Sequence, residues 1–142
     1  MLHAMTTLNL PVADVAAARD WYAEVLGIDA YFQQPDADNP AYAEFRIGPR
    51  QDELGLIDAR YTANGLADRP AGATIYWHVD DVSAAVERLV SLGATAHDPV
   101  VNRGDEGFVT ASVVDPFGNV LGLMHSPHYL QQQTTGAVES AT

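Results

Sequence analysis

Alternating apolar and polar positions mark residues 7–15 as an extended segment, and the same pattern returns 67 positions later. Thr7-Leu8-Asn9-Leu10-Pro11-Val12-Ala13-Asp14-Val15 lines up with Thr74-Ile75-Tyr76-Trp77-His78-Val79-Asp80-Asp81-Val82. Each segment ends in an aspartate suited to cap a helix, because its short carboxylate accepts amide protons that the first turn leaves unbonded. A helix is predicted over 15–26, with Val15, Ala18, Trp21, Tyr22, Val25 and Leu26 on one face. A second is predicted over 82–92, with Val82, Ala85, Val86, Leu89 and Leu92 on one face and one residue lost relative to the first. Both stop at Leu-Gly, Leu26-Gly27 and Leu92-Gly93, where glycine supplies a left-handed terminal residue.

The repeat extends further. Leu54-Gly55-Leu56 matches Leu121-Gly122-Leu123 at the same offset of 67. Between helix and Leu-Gly-Leu each half has room for two more strands, around 30–33 and 42–47 in the first and 95–100 and 107–114 in the second. Asp115-Pro116-Phe117-Gly118 is a turn joining the last two strands. The chain is therefore expected to be α+β, with two tandem βαβββ modules. Module one covers about 1–61 and module two about 73–130, joined by a Gly-, Pro- and Ala-rich linker over 62–72. Together they form a single domain over 1–130, and 131–142 is a polar, frayed tail.

Composition narrows the chemistry. The 142 residues suffice for a hydrophobic core, and nearly half are apolar. Cysteine is absent, which removes disulfides, thiolate nucleophiles and cysteine metal sites. All seven basic residues are arginine, so Schiff-base lysines and P-loops are excluded. A net charge of −12 argues against nucleic acid or an anionic membrane and favours a cationic ligand, or simply a solubilising surface. No apolar run has transmembrane length and no basic-then-apolar leader opens the chain, so a cytoplasmic location is expected.

This arrangement resembles the vicinal oxygen chelate superfamily, which includes glyoxalase I, extradiol dioxygenases and bleomycin-resistance proteins. The resemblance rests on Val12-Ala13-Asp14-Val15, Trp21-Tyr22 and Val25-Leu26-Gly27 in the first half. Val79-Asp80-Asp81-Val82, Leu92-Gly93-Ala94 and Asp115-Pro116-Phe117-Gly118-Asn119 carry it in the second. It implies that the modules form a curved mixed sheet with a ligand groove, and that two copies commonly pair, for which Phe117, Leu121 and Leu123 offer an apolar set. In metal-dependent members the first strand of each module offers a histidine or glutamine and the last a glutamate. Those positions fall here on Thr7, Gly55, Thr74 and Gly122. Threonine is a poor ligand for a divalent ion and glycine has no side chain, so no metal and no other cofactor is expected.

Strand parity then nominates the lining. If helices cover Leu8, Leu10, Val12, Ile75, Trp77 and Val79, the open face carries Thr7, Asn9, Pro11, Thr74, Tyr76 and His78. It also carries Glu53, Gly55, Ile57, Val120, Gly122 and Met124, with Tyr42, Glu44 and Arg46 in the groove or in solvent. Thr7, Asn9, Glu44, Arg46, Gly55, Ile57, Thr74, Tyr76, His78, Gly122 and Met124 are the candidate ligand contacts. The two glycines either leave room for a bulky organic ligand or mark a close backbone approach. Glu44, Arg46 and Glu53 either orient a polar ligand or form cross-strand ion pairs.

His78 with Tyr76 is the candidate acid–base pair, since imidazole titrates near neutrality; the alternative is a structural bond at the helix entry. His125 and His128 invite a metal reading, but Ser126-Pro127 is expected to keep them off one helical face, and a C-terminal lid or dimer contact fits better. Arg103, Asp105 and Glu106 lie in a loop that either reaches over a ligand or is a solvated connection. No nucleophile elbow, phosphate loop, H-E-x-x-H or dinucleotide fingerprint is present. Two functions follow. One is metal-independent binding of an organic small molecule for sequestration or resistance. The other is an enzyme of isomerase, lyase or dioxygenase type using His78 and Tyr76 on a carbonyl or phenolic substrate.

Overall fold

The computed structural model describes residues 5–70 and 72–139, with side chains through 134. Expectations about 1–4, 71 and 140–142 lie outside the described residues. The chain divides into two compact units, Met1–Arg69 and Pro70–Thr142, at a point within the segment 62–72.

The first unit runs β1 (Thr7–Val12), α1 (Val15–Leu26), β2 (Phe32–Gln34), β3 (Tyr42–Ile47) and β4 (Asp52–Asp58). The sheet order is β1-β4-β3-β2, with β1 parallel to β4 and the other pairs antiparallel. Asp14 caps α1, its Oδ1 accepting the Ala17 amide at 2.9 Å, and Gly27 ends it at φ 68°. Helix α1 packs on β3 and β4. It buries Val15, Ala18 and Tyr22 in a core that includes Val12, Ala43, Phe45, Leu54 and Leu56. Each large aliphatic or phenyl group so buried contributes about 1.5–3 kcal/mol. Strand β2 starts later than the pattern around 30–33 predicts, because Tyr31 lies in a bend before it.

The second unit runs β5 (Ile75–His78), α2 (Val82–Ser91), β6 (Thr95–Ala96), β7 (Val101–Asn102), β8 (Val109–Val114), β9 (Val120–His125) and α3 (Pro127–Glu139). Its sheet order is β5-β9-β8-β6, with β7 also beside β8 and β5 parallel to β9. Asp81 caps α2 through the Ala84 amide at 2.9 Å, and the glycine after Leu92 has φ 103°. Asp115 closes the β8–β9 turn by accepting the amides of Phe117 and Asn119, at 2.9 and 2.8 Å.

Three expectations change here. The strand expected over 95–100 is cut to Thr95–Ala96, with pairing resumed only at Val101–Asn102, because His97 and Asp98 together oppose Ser112. The His97 amide donates to the Ser112 carbonyl at 2.9 Å and the Ser112 amide to the Asp98 carbonyl at 3.2 Å. Two residues against one is a β-bulge, and Pro99, lacking an N–H, follows it. The polar tail expected from Gln131 instead continues α3 to Glu139. Ser126 and Pro127 start this helix and leave His125 outside it: the Ser126 hydroxyl accepts the Tyr129 amide at 3.2 Å, and proline suits a first helical position. Finally, Leu121 and Leu123 are buried in their own unit's core, so they are spent before any second copy arrives. Among the described residues no helix is long and apolar enough to cross a membrane.

Candidate functional site

In the first unit the face away from α1 carries a connected polar and aromatic array. Register places Asn9 and Glu44 on either side of Gly55, Pro11 and Tyr42 beside Ile57, and Thr7 and Arg46 beside Glu53. The hydroxyls of Tyr31 and Tyr42 both donate to the Glu44 carboxylate, one to each oxygen, and the Tyr42 hydroxyl lies 3.3 Å from the Asn9 Oδ1. The Arg46 guanidinium stacks 4.1 Å from the centre of the Tyr31 ring and reaches Glu53 at 3.4 Å. Thr7 donates to the other Glu53 oxygen at 2.7 Å. Phe32 sits edge-on to Tyr42, with ring centres 6.3 Å apart. Tyr31 and Phe32 keep 47% and 44% of their surface exposed, which leaves aromatic area available to a visiting molecule.

The two phenols titrate abnormally. Burial first, and then the hydrogen bond to Glu44, push the Tyr42 phenol well above its usual range. For Tyr31 the hydrogen bond to Glu44 is the leading cause of an upward shift. Both hydroxyls therefore stay protonated and directed at one carboxylate, which holds Glu44 in place.

The second unit presents Tyr76, His78, Gly122, Met124, Thr110 and Ser112 on the face away from α2. Tyr76 is 45% exposed and its ring crosses Gly122. His78 is engaged: its Nδ1 accepts the Ser126 amide at 3.1 Å, and its ring stacks on Tyr129 with centres 4.5 Å apart. His78 Nε2 is buried, has no hydrogen-bond partner among the described residues, and stands 3.7 Å from the Asp80 carboxylate. Ser112 and Asp98 hydrogen-bond at 2.6 Å, and Arg103 Nε donates to the Thr110 hydroxyl at 2.9 Å. Arg103 also donates its amide to the Phe108 carbonyl at 2.8 Å, which closes the 103–107 loop as a hairpin connection.

Within each unit, then, the nominated residues share a face. Asn9, Glu44 and Gly55 meet through Tyr42, and Arg46 and Thr7 meet through Glu53. Ile57 and Met124 are half-buried on their faces. Thr74 precedes β5 yet lies against Gly122. Tyr76 and His78 face the same way, but His78 is held by the C-terminal segment. Sequence reasoning missed Tyr31, Ser126 and Tyr129 as partners. Tyr31 lies outside a strand and Tyr129 follows a Ser-Pro break, so parity could not reach either. His125 ends a strand and His128 begins a helix, so they do not share a helical face.

A model of the Glyoxalase/Bleomycin resistance protein/Dioxygenase superfamily matches residues 2–123. The chain belongs to this superfamily. A search of curated proteins finds no match. Solved structures share the fold of the superfamily. A glyoxalase-related enzyme from Fulvimarina pelagi is 20% identical with a TM-score of 0.69, over 89% of this chain and 90% of that one. A superfamily member from Sphaerobacter thermophilus is 22% identical with a TM-score of 0.66, over 88% and 98%. TioX from Micromonospora is 19% identical with a TM-score of 0.62, over 87% and 98%.

The superfamily's metal does not fit the donors present. Thr7 spends its hydroxyl on Glu53. A side chain grown from Gly55 would enter space held by Asn9 and Tyr42, its Cβ 2.9 Å from the ring Cε2 of Tyr42. One grown from Gly122 would meet Tyr76 at 2.7 Å and Thr74 at 2.9 Å. The chain's own side chains thus cover both glycines, so the bare backbone is a close approach rather than open room for a ligand. Among the described residues no three His, Cys, Asp or Glu side chains group as a metal cluster.

Proposed function

We propose that this member of the superfamily binds an organic small molecule on the open face of β1–β4 and sequesters it, with no metal in the contact. One observation carries the reading. Glu44, clamped by Tyr31 and Tyr42, stands among half-exposed aromatic rings on that face. A fixed carboxylate recognises a donor or a cation, and the rings supply stacking area, which suits a planar amine. The phenol protons are already committed to Glu44, and the Arg46 guanidinium is turned to Glu53 and the Tyr31 ring, so the carboxylate oxygens of Glu44 are the acceptors this proposal uses. The chain's net charge of −12 favours approach of the same class.

Isothermal titration with bleomycin, for which the superfamily is named, and with a panel of planar aromatic amines tests the reading. Saturable binding is expected, with the ligand recovered unchanged by mass spectrometry. Glu44→Gln should weaken it about tenfold or more, matching loss of a hydrogen bond to a charged group worth roughly 1.5–3 kcal/mol. Binding indifferent to Glu44→Gln would remove the site. Conversion of the ligand, abolished by His78→Ala, would replace sequestration with acid–base catalysis.

A further inference from the structure

We propose that Asn9 turns its side-chain carbonyl outward beside Glu44, and that the pair selects cationic ligands whose nitrogen keeps at least two N–H bonds. Primary and secondary arylalkylamines fit; tertiary and quaternary ones do not. This selectivity rests on the reading that the open face of β1–β4 holds the ligand. It follows from a proton count. The Tyr42 hydroxyl has one proton and Glu44 takes it, because a carboxylate can only accept. Asn9 Oδ1 lies 3.3 Å from the same hydroxyl, an acceptor facing an oxygen whose proton is already given away. The Asn9 Nδ2 has no partner among the described residues, so nothing holds the amide in that sense. Half a turn of the amide resolves the conflict. Nδ2 then donates to a lone pair of the Tyr42 hydroxyl, and Oδ1 takes the outward place.

Strand register sets what stands around the two acceptors. Phe32, Glu44, Gly55 and Asn9 pair in one row across β2, β3, β4 and β1. Glu44 and Asn9 therefore reach toward each other over a residue without a side chain. Both meet one oxygen, the Tyr42 hydroxyl, which keeps them within reach of a single ligand nitrogen. Phe32 stands one strand spacing from Glu44, about 4.8 Å. Its ring is 44% exposed. An aromatic ring laid beside Phe32 thus brings a nitrogen on a one-carbon arm to Glu44.

Charge favours the same place. Glu53, in the next row, is offset by the Arg46 guanidinium at 3.4 Å and accepts from Thr7 as well. Glu44 has two neutral phenols as partners, so its negative charge is left for a ligand. A nitrogen that gives one proton to Glu44 needs a second for the Asn9 carbonyl. A tertiary ammonium has a single N–H and leaves that carbonyl unpaired against the ligand, while a quaternary one has none to give.

Isothermal titration of the full chain with benzylamine and its N-methyl, N,N-dimethyl and N,N,N-trimethyl forms tests the selectivity. At neutral pH each carries one positive charge on the same ring and arm. The main step in affinity, about tenfold, is expected between the N-methyl and N,N-dimethyl compounds, the size of one hydrogen bond to a charged group. Asn9→Ala should abolish that step, because alanine offers no acceptor, and should leave the affinity for N,N-dimethylbenzylamine as in the wild type. Equal wild-type affinities along the series, or a step that survives Asn9→Ala, would overturn the selectivity; the ligand face itself stands in that case if Glu44→Gln still weakens binding. No binding of any of these amines, or binding indifferent to Glu44→Gln, would remove the ligand face and the selectivity with it. NMR of the unliganded protein checks the amide without a variant. The Asn9 side-chain amide protons are expected in Overhauser contact with the Tyr42 ring, and their absence from it would sink the idea.

Discussion

The ring of Tyr42 lies across Gly55, with its Cε2 only 2.9 Å from where a Cβ on that glycine would stand. The corresponding glycine of the second unit, Gly122, is covered by Tyr76, but there a Cβ would also stand 2.9 Å from the backbone carbonyl oxygen of Ile75. Ring and amide ends can swing aside, whereas a carbonyl inside a parallel ladder cannot. Gly122→Ala should therefore destabilise by about 1–3 kcal/mol, the usual cost of overpacking. Gly55→Ala should cost less in stability and more in ligand affinity, because it moves Tyr42 and Asn9. Urea denaturation beside ligand titration measures both; equal stability losses would contradict the distinction.

The phenols give a pH prediction. Tyr31 and Tyr42 are both shifted upward, so the folded chain keeps protons that the unfolded chain releases above about pH 10. Their contribution to stability is full below that pH and is lost as the pH rises beyond it. Ultraviolet titration should show that Tyr31→Phe and Tyr42→Phe each remove one late-ionising phenol. In Glu44→Gln, Tyr31 should return toward its ordinary range, while Tyr42, shifted mainly by burial, should stay high. A titration unchanged by either substitution would refute the clamp.

Ser112 is fully buried and stitches the β-bulge, its hydroxyl accepting the Asp98 amide at 3.1 Å and donating to the Asp98 carboxylate. Ser112→Ala leaves that amide without its acceptor. A loss of about 1–3 kcal/mol is expected, the cost of an unsatisfied polar group. Thermal unfolding reads it, and a change below a few tenths of a kcal/mol would mean that water replaces the hydroxyl.

The donors at the superfamily's metal positions predict a simple outcome. Elemental analysis of the purified protein should find no stoichiometric zinc, nickel, iron or manganese. About one ion per chain, retained through mild chelation, would show that other side chains supply a site. Weak uptake by exposed histidines such as His128 would not survive that treatment.

Local chemistry determined much of this protein without reference to its fold. Asp14 and Asp81 cap helices, Gly27 ends one, and period-two patterning sorts Leu54 and Leu56 from Gly55, because each depends only on residues a few positions away. The 67-residue repeat made both modules legible for the same reason, and the faces on which Asn9, Glu44, Tyr76 and His78 lie follow from strand parity. Parity does not say what covers a face. The clamp of Tyr31 on Glu44, the ring of Tyr42 over Gly55 and the seat of Tyr129 on His78 join segments that meet only once the strands have paired. Whether a glycine opens a cavity or admits a neighbouring ring depends on which rotamer that neighbour takes. The C-terminal helix makes the same point. Its polar residues carry no apolar stripe to announce it, and its start is set by a cap and by a bond to a histidine 48 positions earlier.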